Sequence, residues 1–191
     1  MPPILTTERL AFHPFTADDL PVLGALHGDP EVMRFLSTDG RPWSTDELRQ
    51  KLARFVSEQA SIGFSKWKVC LRCDETVIGR AGFSIFRETG EIELGFIFGR
   101  SAWGKGYATE CARGLLNWLF TTRLEIDRVI AFAQLGNLAS RRVLEKCGFQ
   151  WTGVRLSRVR AIHSAAPADR FRLDRRLWLS LKSWGRFSGA A

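Results

Sequence analysis

Cysteine, methionine and tyrosine are scarce in this chain of 191 residues, which contains four, two and one of them, respectively. So few cysteines do not form a disulfide scaffold in a chain this rich in apolar residues. Cys70 and Cys73 form a C-x-x-C pair, but neither a second pair nor a nearby histidine completes a zinc site. The three histidines, His13, His27 and His163, have no spacing typical of a metal site or a catalytic triad. We therefore expect reduced thiols, no metal, and structural or surface roles for the histidines.

Long apolar runs are also missing. The longest stretch without a charged residue, Val129 to Ser140, is far shorter than the roughly 20 apolar residues of a membrane-spanning helix. The N-terminus has neither the basic region nor the apolar region of a signal peptide. We expect no membrane contact and a cytoplasmic location.

Acidic residues are outnumbered, because 20 Asp and Glu stand against 28 Lys and Arg, for a formal net charge of +8. Between Arg141 and Arg186 only Glu145, Asp169 and Asp174 oppose the many basic residues. Such a surface attracts polyanions, phosphorylated ligands or ribosomal RNA. A solvated basic surface without a partner explains the same pattern.

The composition is otherwise that of a globular protein, with 45% hydrophobic and 12% aromatic residues. The length fits one domain, and no repeat or flexible linker divides the chain. We therefore predict a single domain over residues 1–184, followed by a short loose tail over residues 185–191.

The first third of the chain predicts one strand and several helices. Arg9 to Phe15 is typical of a strand. Three helix-start signals follow, at Thr16, at Asp29-Pro30 and in the capping box that begins at Ser44. Gly63 ends the last of these helices.

From about residue 67 the apolar pattern changes to period two and predicts an antiparallel meander, with strands over residues 67–73, 77–86 and 91–98. The elements after the meander are a helix through Thr122, a strand over 128–133, a helix over 137–147, and two further strands, one from Phe149 onward and one over Phe171 to Leu181. The fold class is therefore α/β (α+β), with a mixed, mostly antiparallel central sheet flanked by helices.

The most informative segment is a glycine loop between a predicted strand and a predicted helix, Trp103-Gly104-Lys105-Gly106-Tyr107-Ala108-Thr109-Glu110. Consecutive N–H groups in such a loop, together with the helix dipole, bind a pyrophosphate. The loop matches neither the nucleotide P-loop nor the dinucleotide fingerprint. A tight structural turn is the other interpretation of a G-K-G segment.

Together with the segment from Asn137 to Phe149, this loop resembles the GNAT N-acetyltransferase superfamily, and most closely its RimJ/RimL-type ribosomal-protein branch. Matching segments run through nearly the whole chain, at residues 5–10, 29–33, 77–79, 93–96 and 174–181. The resemblance implies a GNAT fold with a splayed sheet and an N-acetyltransferase that uses acetyl-coenzyme A and no metal. A homodimer is one candidate assembly, and the basic surface is a candidate contact for the ribosome or RNA.

The resemblance also implies the coenzyme contacts. The loop amides of Trp103, Gly104, Lys105, Gly106, Tyr107, Ala108 and Thr109 would hold the pyrophosphate. The end of the preceding strand, Phe96, Ile97 and Phe98, would pair with the pantetheine arm and hold the thioester carbonyl. Asn137 corresponds to a pantetheine-contacting residue, although a helix N-cap is an equally good use of it. Trp103 replaces the Gln or Arg usual at that position, so a polar phosphate contact is missing there.

Catalysis needs a neutral amine, and so a general base near the thioester. Glu93 matches the family's strand glutamate and is the expected base; an ion pair with an arginine is its alternative role. The general acid is harder to assign, because Leu144 stands where many relatives have a tyrosine, seven residues after Asn137. We expect Ser140 to stabilise or protonate the leaving thiolate, with water or the product ammonium as alternatives.

The acceptor is predicted to be a primary amine, either a protein N-terminus or a small molecule. Phe35 and Trp43 lie where relatives build the acceptor pocket, and we expect them to form an aromatic wall. The net charge disfavours polycationic acceptors, although four acidic residues would make the mouth of the pocket acidic: Asp29, Glu31, Asp39 and Glu47. The competing function is a noncatalytic coenzyme-binding module that docks on RNA or a protein through the basic C-terminal third.

Overall fold

The computed structural model describes residues 2–36, 41–158 and 165–185, with only the backbone of residues 157, 158, 165 and 166. Within these residues, eight strands form one sheet in the order β1-β2-β3-β4-β5-β6-β8-β7. The strands are β1 Leu5–Thr6, β2 Leu10–Pro14, β3 Lys66–Leu71, β4 Val77–Ile85, β5 Ile92–Phe98, β6 Arg128–Gln134, β7 Gln150–Arg158 and β8 Ala165–Asp174. The described helices are α1 Leu20–His27, α2 Pro30–Met33, α3 Thr45–Ile62, α4 Tyr107–Thr122, α5 Leu138–Lys146 and α6 Arg175–Ser183.

Neighbouring strands are antiparallel except for β5 and β6, which run parallel. The predicted mixed, mostly antiparallel sheet with flanking helices is therefore confirmed. None of the described helices combines the length and apolar character that crossing a bilayer requires. Residues 186–191 of the predicted tail lie outside the described residues.

The helix starts predicted at Asp29-Pro30 and at Ser44 are present, and each has a hydrogen-bonding reason. After Thr16, a 3-10 turn over Ala17–Asp19 comes first and α1 begins at Leu20. The Asp29 carboxylate accepts from the Glu31 amide at 2.9 Å and caps α2. Ser44 and Glu47 form a reciprocal capping box at the start of α3. Gly63, with φ of +76°, ends α3 in the left-handed conformation that favours glycine.

The strand predicted over Phe171 to Leu181 is wrong beyond Asp174, because α6 begins at Arg175. Leucines at positions 177, 179 and 181 imitate the alternation of a strand. In the helix, Trp178 and Leu181 are buried on one face, whereas Leu179 is exposed. The secondary structure of this segment is therefore determined by the packing of residues at helical spacing, and not by the alternating leucines.

The sheet separates two apolar clusters. The larger cluster lies on the side of α4 and includes buried aromatic side chains of Trp67, Phe83, Phe171 and Trp178. The smaller cluster joins α1, α2 and α3 and contains Phe15, Leu23, Met33, Trp43, Leu48, Leu52 and Phe55. Burying one such side chain contributes roughly 1.5–3 kcal/mol. Helices α1 to α3 are therefore held over the sheet face opposite α4.

Arg175 connects three elements at the start of α6. Its guanidinium donates to the carbonyl oxygens of Phe120 at 2.8 Å, Arg123 at 2.5 Å and Ile126 at 2.6 Å. These carbonyls lie at the end of α4 and just before β6. The side chain thus supplies hydrogen bonds where the helix leaves its last carbonyls unsatisfied.

We predict that Arg175→Met lowers the free energy of unfolding by about 2–4 kcal/mol, because several charged hydrogen bonds are lost and their acceptors stay partly buried. Urea unfolding measures the change. Arg176→Met is the matched control, since Arg176 is exposed, and is expected to stay within about 0.5 kcal/mol of the parent. Equal effects of the two substitutions would contradict the assignment.

Candidate active site

The sheet opens between β5 and β6. The two strands pair only at Ile92 with Val129, Glu93 with Ile130, and Leu94 with Ala131. Beyond Leu94, β5 continues against β4 and β6 continues against β8. The sheet is therefore splayed from this point onward, as predicted.

The edge of β5 that faces this gap is lined by backbone groups. Gly99 donates its N–H to the Ile78 carbonyl of β4 at 2.9 Å. Because strand residues alternate in direction, the backbone N–H and C=O groups of Phe96 and Phe98 face the gap. These groups are suited to pairing with an extended ligand, as another strand would pair.

The glycine loop follows β5 and leads into α4. Gly104 and Gly106 have φ angles of +74° and +82°, and Gly106 is the N-cap of the helix. The amides of residues 104–108 donate to no group within the described part of the chain. Trp103 and Thr109 use their amides internally, on Arg100 O and Gly106 O. Residues 104–108 therefore present unpartnered amides at a helix N-terminus, a geometry suited to an anion, and we call these residues the amide cradle.

A carboxylate beneath the cradle holds it in place. Glu110 accepts from Thr7 Oγ1 at 2.6 Å, from the Arg9 amide at 2.8 Å and from Arg9 Nε at 2.6 Å. Arg9 also donates to Lys105 O at 3.1 Å and lies 4.5 Å from the ring centre of Tyr107. Burial acts to raise the pKa of Glu110, but the hydrogen bonds from Thr7 and Arg9 lower it below its usual value. Sequence reasoning missed this connection, since the partners are far apart in the chain.

Trp103 has a role that the sequence did not reveal. Its indole Nε1 donates to the Phe98 carbonyl oxygen at 2.7 Å. The ring is nevertheless 45% exposed. Trp103 therefore donates a hydrogen bond to the last carbonyl oxygen on the open edge of β5. A Gln or Arg that bound phosphate from this position would not need to make this hydrogen bond.

The opposite side of the gap carries the start of α5. The carboxyl ends of β5 and β6 meet at one edge because the strands are parallel, so the helices that follow them begin near each other. Asn137 is the N-cap of α5, and its Oδ1 accepts from the Ser140 amide at 3.0 Å. The Asn137 amide nitrogen and the Ser140 hydroxyl bond no described group. Leu144 is 1% exposed and packs in the larger cluster.

Glu93 lies on the sheet face covered by α1 to α3, with Ser84 and Ile130 as its cross-strand neighbours. Its carboxylate makes no hydrogen bond or ion pair with the described residues. Glu91, two residues earlier, is the glutamate that pairs with an arginine, at 2.7 Å from Arg170. The ion-pair interpretation thus applies to Glu91, and the Glu93 carboxylate remains available.

Comparison with known proteins agrees with this geometry. Residues 9–150 match the family model described as an acetyltransferase (GNAT) domain. The chain belongs to the GNAT acetyltransferase family. The N-acetyltransferase YjdG of Bacillus subtilis, itself uncharacterized, is 30% identical over 154 residues, which cover 76% of this chain and 89% of that protein.

Solved structures share the GNAT fold of this chain. An aminoglycoside acetyltransferase in complex with coenzyme A superposes with a TM-score of 0.73 at 19% identity, covering 91% of this chain and 99% of that one. A ribosomal-protein-serine acetyltransferase structure from Vibrio cholerae gives a TM-score of 0.69 at 19% identity, with the same coverage. At this level of identity the likeness shows the fold.

Beside Glu93, the GNAT sheet carries two buried cations. Lys66 Nζ donates to Gly82 O at 2.8 Å and to the backbone oxygen of Glu93 at 3.4 Å. It lies above the paired glycines Gly82 and Gly95, and a Cβ added at Gly95 would approach Nζ to 3.1 Å. Burial lowers the pKa of Lys66 to about 8, although Glu93 acts to raise it. Burial likewise lowers the pKa of Arg80 to about 9, again opposed by Glu93.

His27 orients Arg80. Its Nε2 accepts from Arg80 Nε at 2.9 Å, and its Nδ1 lies 3.4 Å from the Met33 sulfur. The ring stacks on Trp43 with centroids 4.0 Å apart. Burial, reinforced by Arg80 and Lys51, lowers the pKa of His27 to about 2. The histidine is therefore neutral, with its proton on Nδ1, and has a structural role.

The two residues predicted to form the aromatic wall of the acceptor pocket differ in how deeply they are buried. Trp43 is 8% exposed and belongs to the smaller cluster, whereas Phe35 is half-buried beneath Arg34. Three of the four acidic residues predicted at the mouth have local roles: Asp29 and Glu47 cap helices, and Glu31 pairs with Arg34. Asp39 and His163 lie outside the described residues.

All four cysteines are free thiols. Cys73 is exposed, whereas Cys70, Cys111 and Cys147 are buried. No group of three or more His, Cys, Asp or Glu side chains in the described ranges is placed to hold a metal ion. The absence of a metal from the activity stays a prediction.

We predict that His27 makes the protein less stable in mild acid. Its pKa is about 6.5 when unfolded and about 2 when folded, so below pH 6.5 only the unfolded chain binds the proton. This histidine therefore lowers the free energy of unfolding by about 1.4 kcal/mol for each pH unit between roughly pH 6 and pH 4. His27→Gln is expected to remove this contribution to the pH dependence of the free energy of unfolding, as measured by urea unfolding at a series of pH values. Parallel pH profiles for the two proteins would contradict the prediction.

Proposed function

We propose that this chain transfers an acetyl group from acetyl-coenzyme A to a primary amine, by direct attack within a ternary complex. The observation that carries the proposal is the placement of an amide-lined loop at the end of β5, next to a gap in the sheet and an unpaired Glu93. Family membership supports acetyl transfer to an amine in general. The described residues support the more specific assignments that follow.

The coenzyme fits three features of this chain. The unpartnered amides of residues 104–108, at the positive end of α4, match the charge and the multiple acceptor oxygens of a pyrophosphate. The gap-facing backbone of Phe96, together with the Phe98 N–H, matches the alternating amides of a pantetheine arm, whereas the Phe98 carbonyl oxygen already accepts from Trp103. The Asn137 side chain, across the gap, has an amide nitrogen free to donate to that arm. Acetyl-coenzyme A supplies an activated acetyl thioester when bound.

Glu93 is the proposed general base. The acceptor ammonium gives one proton to the Glu93 carboxylate, directly or through a water molecule, and so gains the lone pair needed for attack. The amine nitrogen then bonds to the thioester carbonyl carbon, and the carbon–sulfur bond breaks with its electron pair leaving on sulfur. The second proton of the amine nitrogen passes to that sulfur, directly or through the Ser140 hydroxyl, so that a neutral amide and a thiol are formed. Lys66, hydrogen-bonded to the Glu93 backbone and electrostatically coupled to it, stabilises the ionised carboxylate.

Ser140 is the proposed partner of the leaving thiolate. Its hydroxyl bonds no described group and lies on the first turn of α5, beside the Asn137 cap. Departure of the thiolate needs little help from an acid, because a thiol has a pKa near 8.5 and its thiolate is a tolerable leaving group, so a hydrogen bond from the Ser140 hydroxyl is sufficient. Leu144 is packed in the core, so the acid is not expected at the position where many relatives carry tyrosine.

Several finer predictions go beyond the family assignment. They are the RimJ/RimL-type branch, a ribosome or RNA contact, a homodimer, and a cytoplasmic location. The two departures that favoured a noncatalytic module have structural explanations, since Trp103 bonds Phe98 and Leu144 fills the core. We therefore favour the enzyme.

We predict that Glu93→Gln lowers kcat/KM by at least about 10²-fold, because the amide cannot accept the proton. Thiol release from acetyl-coenzyme A, measured over a panel of peptides and small amines, tests this. Glu91→Gln is the matched control, since Glu91 is on the same face but pairs with Arg170, and is expected to change the rate less than about three-fold. Equal losses in both variants would argue against Glu93 as the base.

A second prediction concerns the cradle. Gly106→Ala is expected to weaken coenzyme A binding about ten-fold, because alanine disfavours the left-handed conformation by roughly 1–2 kcal/mol and the amides then turn away. Calorimetric titration measures the affinity. Gly90→Ala introduces a similar backbone strain, at φ of +73° in the β4–β5 turn, and should leave the affinity unchanged. If Gly106→Ala binds normally, the loop amides do not hold the coenzyme.

A further inference from the structure

Positive charge is in excess beneath helices α1 to α3. Among the described residues, Lys66 and Arg80 are buried there. Glu93 is the carboxylate that acts electrostatically on both Lys66 and Arg80. The nearby acids of the described chain are already matched, Glu58 by Arg54 and Asp19 by Lys68. One carboxylate therefore faces two buried cations.

Arg80 has no carboxylate at ion-pair distance among the described residues. Lys66 Nζ is satisfied by two backbone oxygens and lies closest to Glu93 in the register. Arg80 uses only Nε, on the neutral ring of His27, and its terminal Nη groups bond no described group. A buried charge without a partner is costly, so its retention calls for an explanation.

The surroundings of Arg80 consist of further donors and aromatic faces. Trp43 Nε1 is buried and has no partner among the described residues. The Arg80 guanidinium carbon lies 6.0 Å from the ring centre of Trp43 and 5.4 Å from that of Phe55. Donors without acceptors, next to a fixed guanidinium fork, suit an anion with two or more oxygens.

We propose that Arg80, together with Trp43, binds an anionic group on the amine acceptor, a carboxylate or a phosphate. The inference rests on the proposed function, because it names the acceptor of that reaction. Arg80 and Glu93 lie on the same sheet face, in rows four residues or about 13 Å apart at Cα. Together, the Arg80 and Glu93 side chains and a small acceptor molecule cover this distance. The amine of the acceptor then lies at Glu93 and its anionic group at Arg80.

Matched amines test the inference in the acetylation assay. Free α-amino acids are compared with their carboxamides, and phosphoethanolamine is compared with ethanolamine, so that the two pairs distinguish a carboxylate from a phosphate. The parent protein is expected to favour one anionic member by about ten-fold or more in kcat/KM, mainly through KM. Arg80→Met should reduce that ratio to about one. Arg128→Met, which removes a surface arginine paired with Asp174, should retain it.

Thermal unfolding provides a readout that needs no acetyl transfer. With coenzyme A present to fill the loop, inorganic phosphate or succinate should raise the Tm of the parent by about 2 °C or more relative to chloride at equal ionic strength. Arg80→Met should lose this shift, and without added anion it should melt no lower than the parent, because an unmatched charge has been removed.

The outcomes separate the inference from the proposed function. If no amine is acetylated but the anion shift depends on Arg80, the proposed function fails and the anion site stands. If neutral amides are acetylated as well as their acids, or if the shift survives in Arg80→Met, the anion site is overturned while acetyl transfer stands.

Discussion

The divergence of β5 and β6 after Leu94 positions the rest of the candidate site. Because the two strands are parallel where they pair, their carboxyl ends bring the starts of α4 and α5 to one edge of the sheet. The same divergence leaves the β5 edge without a strand partner. An unpaired edge inside a sheet is costly unless something else satisfies it. In this chain Trp103 satisfies one carbonyl and leaves the rest of the edge open.

The sheet face beneath α1 to α3 buries positive charge in the place of apolar side chains. Gly82 and Gly95 pair side by side and form a hollow in the sheet that admits the Lys66 ammonium. Arg80 is held by a neutral histidine and two aromatic rings instead of a carboxylate. Apolar residues of similar volume would pack there at lower electrostatic cost. Charge retained at such a position is typical of a functional surface, where stability is given up for binding.

Much of the fold was predictable from local signals, because the chemistry that starts and ends helices is local. Asp29, Ser44 and Gly63 function as their sequence context predicted. The helix after Asp174 was missed because leucines two apart at 177, 179 and 181 fit either period, and only Trp178 packing against the core decides between them. The position of the glycine loop before a helix and the N-cap role of Asn137 were also predicted from sequence, whereas their contacts with the coenzyme stay predictions.

The buried charges could not be predicted in the same way. Lys66, Gly82 and Gly95 become neighbours only through strand register, which no single segment encodes. In sequence, Lys66 and Arg80 are typical of the solvent face of an amphipathic strand. Helices from another part of the chain cover that face, so the two cations are buried and not exposed to solvent. The role of Glu110 was hidden for the same reason, because its partners Thr7 and Arg9 lie between the first two strands.

Glu110 also affects the order in which the molecule assembles. Its contact with Arg9 spans 101 residues of chain. During synthesis, more than half of the protein must therefore be made after Arg9 before the helix that anchors the loop exists. Contacts of such long range slow folding, since a large loop must close before they form. The support of the amide cradle is consequently complete only after both distant segments have formed and met, although the glycines of the cradle lie close together in sequence.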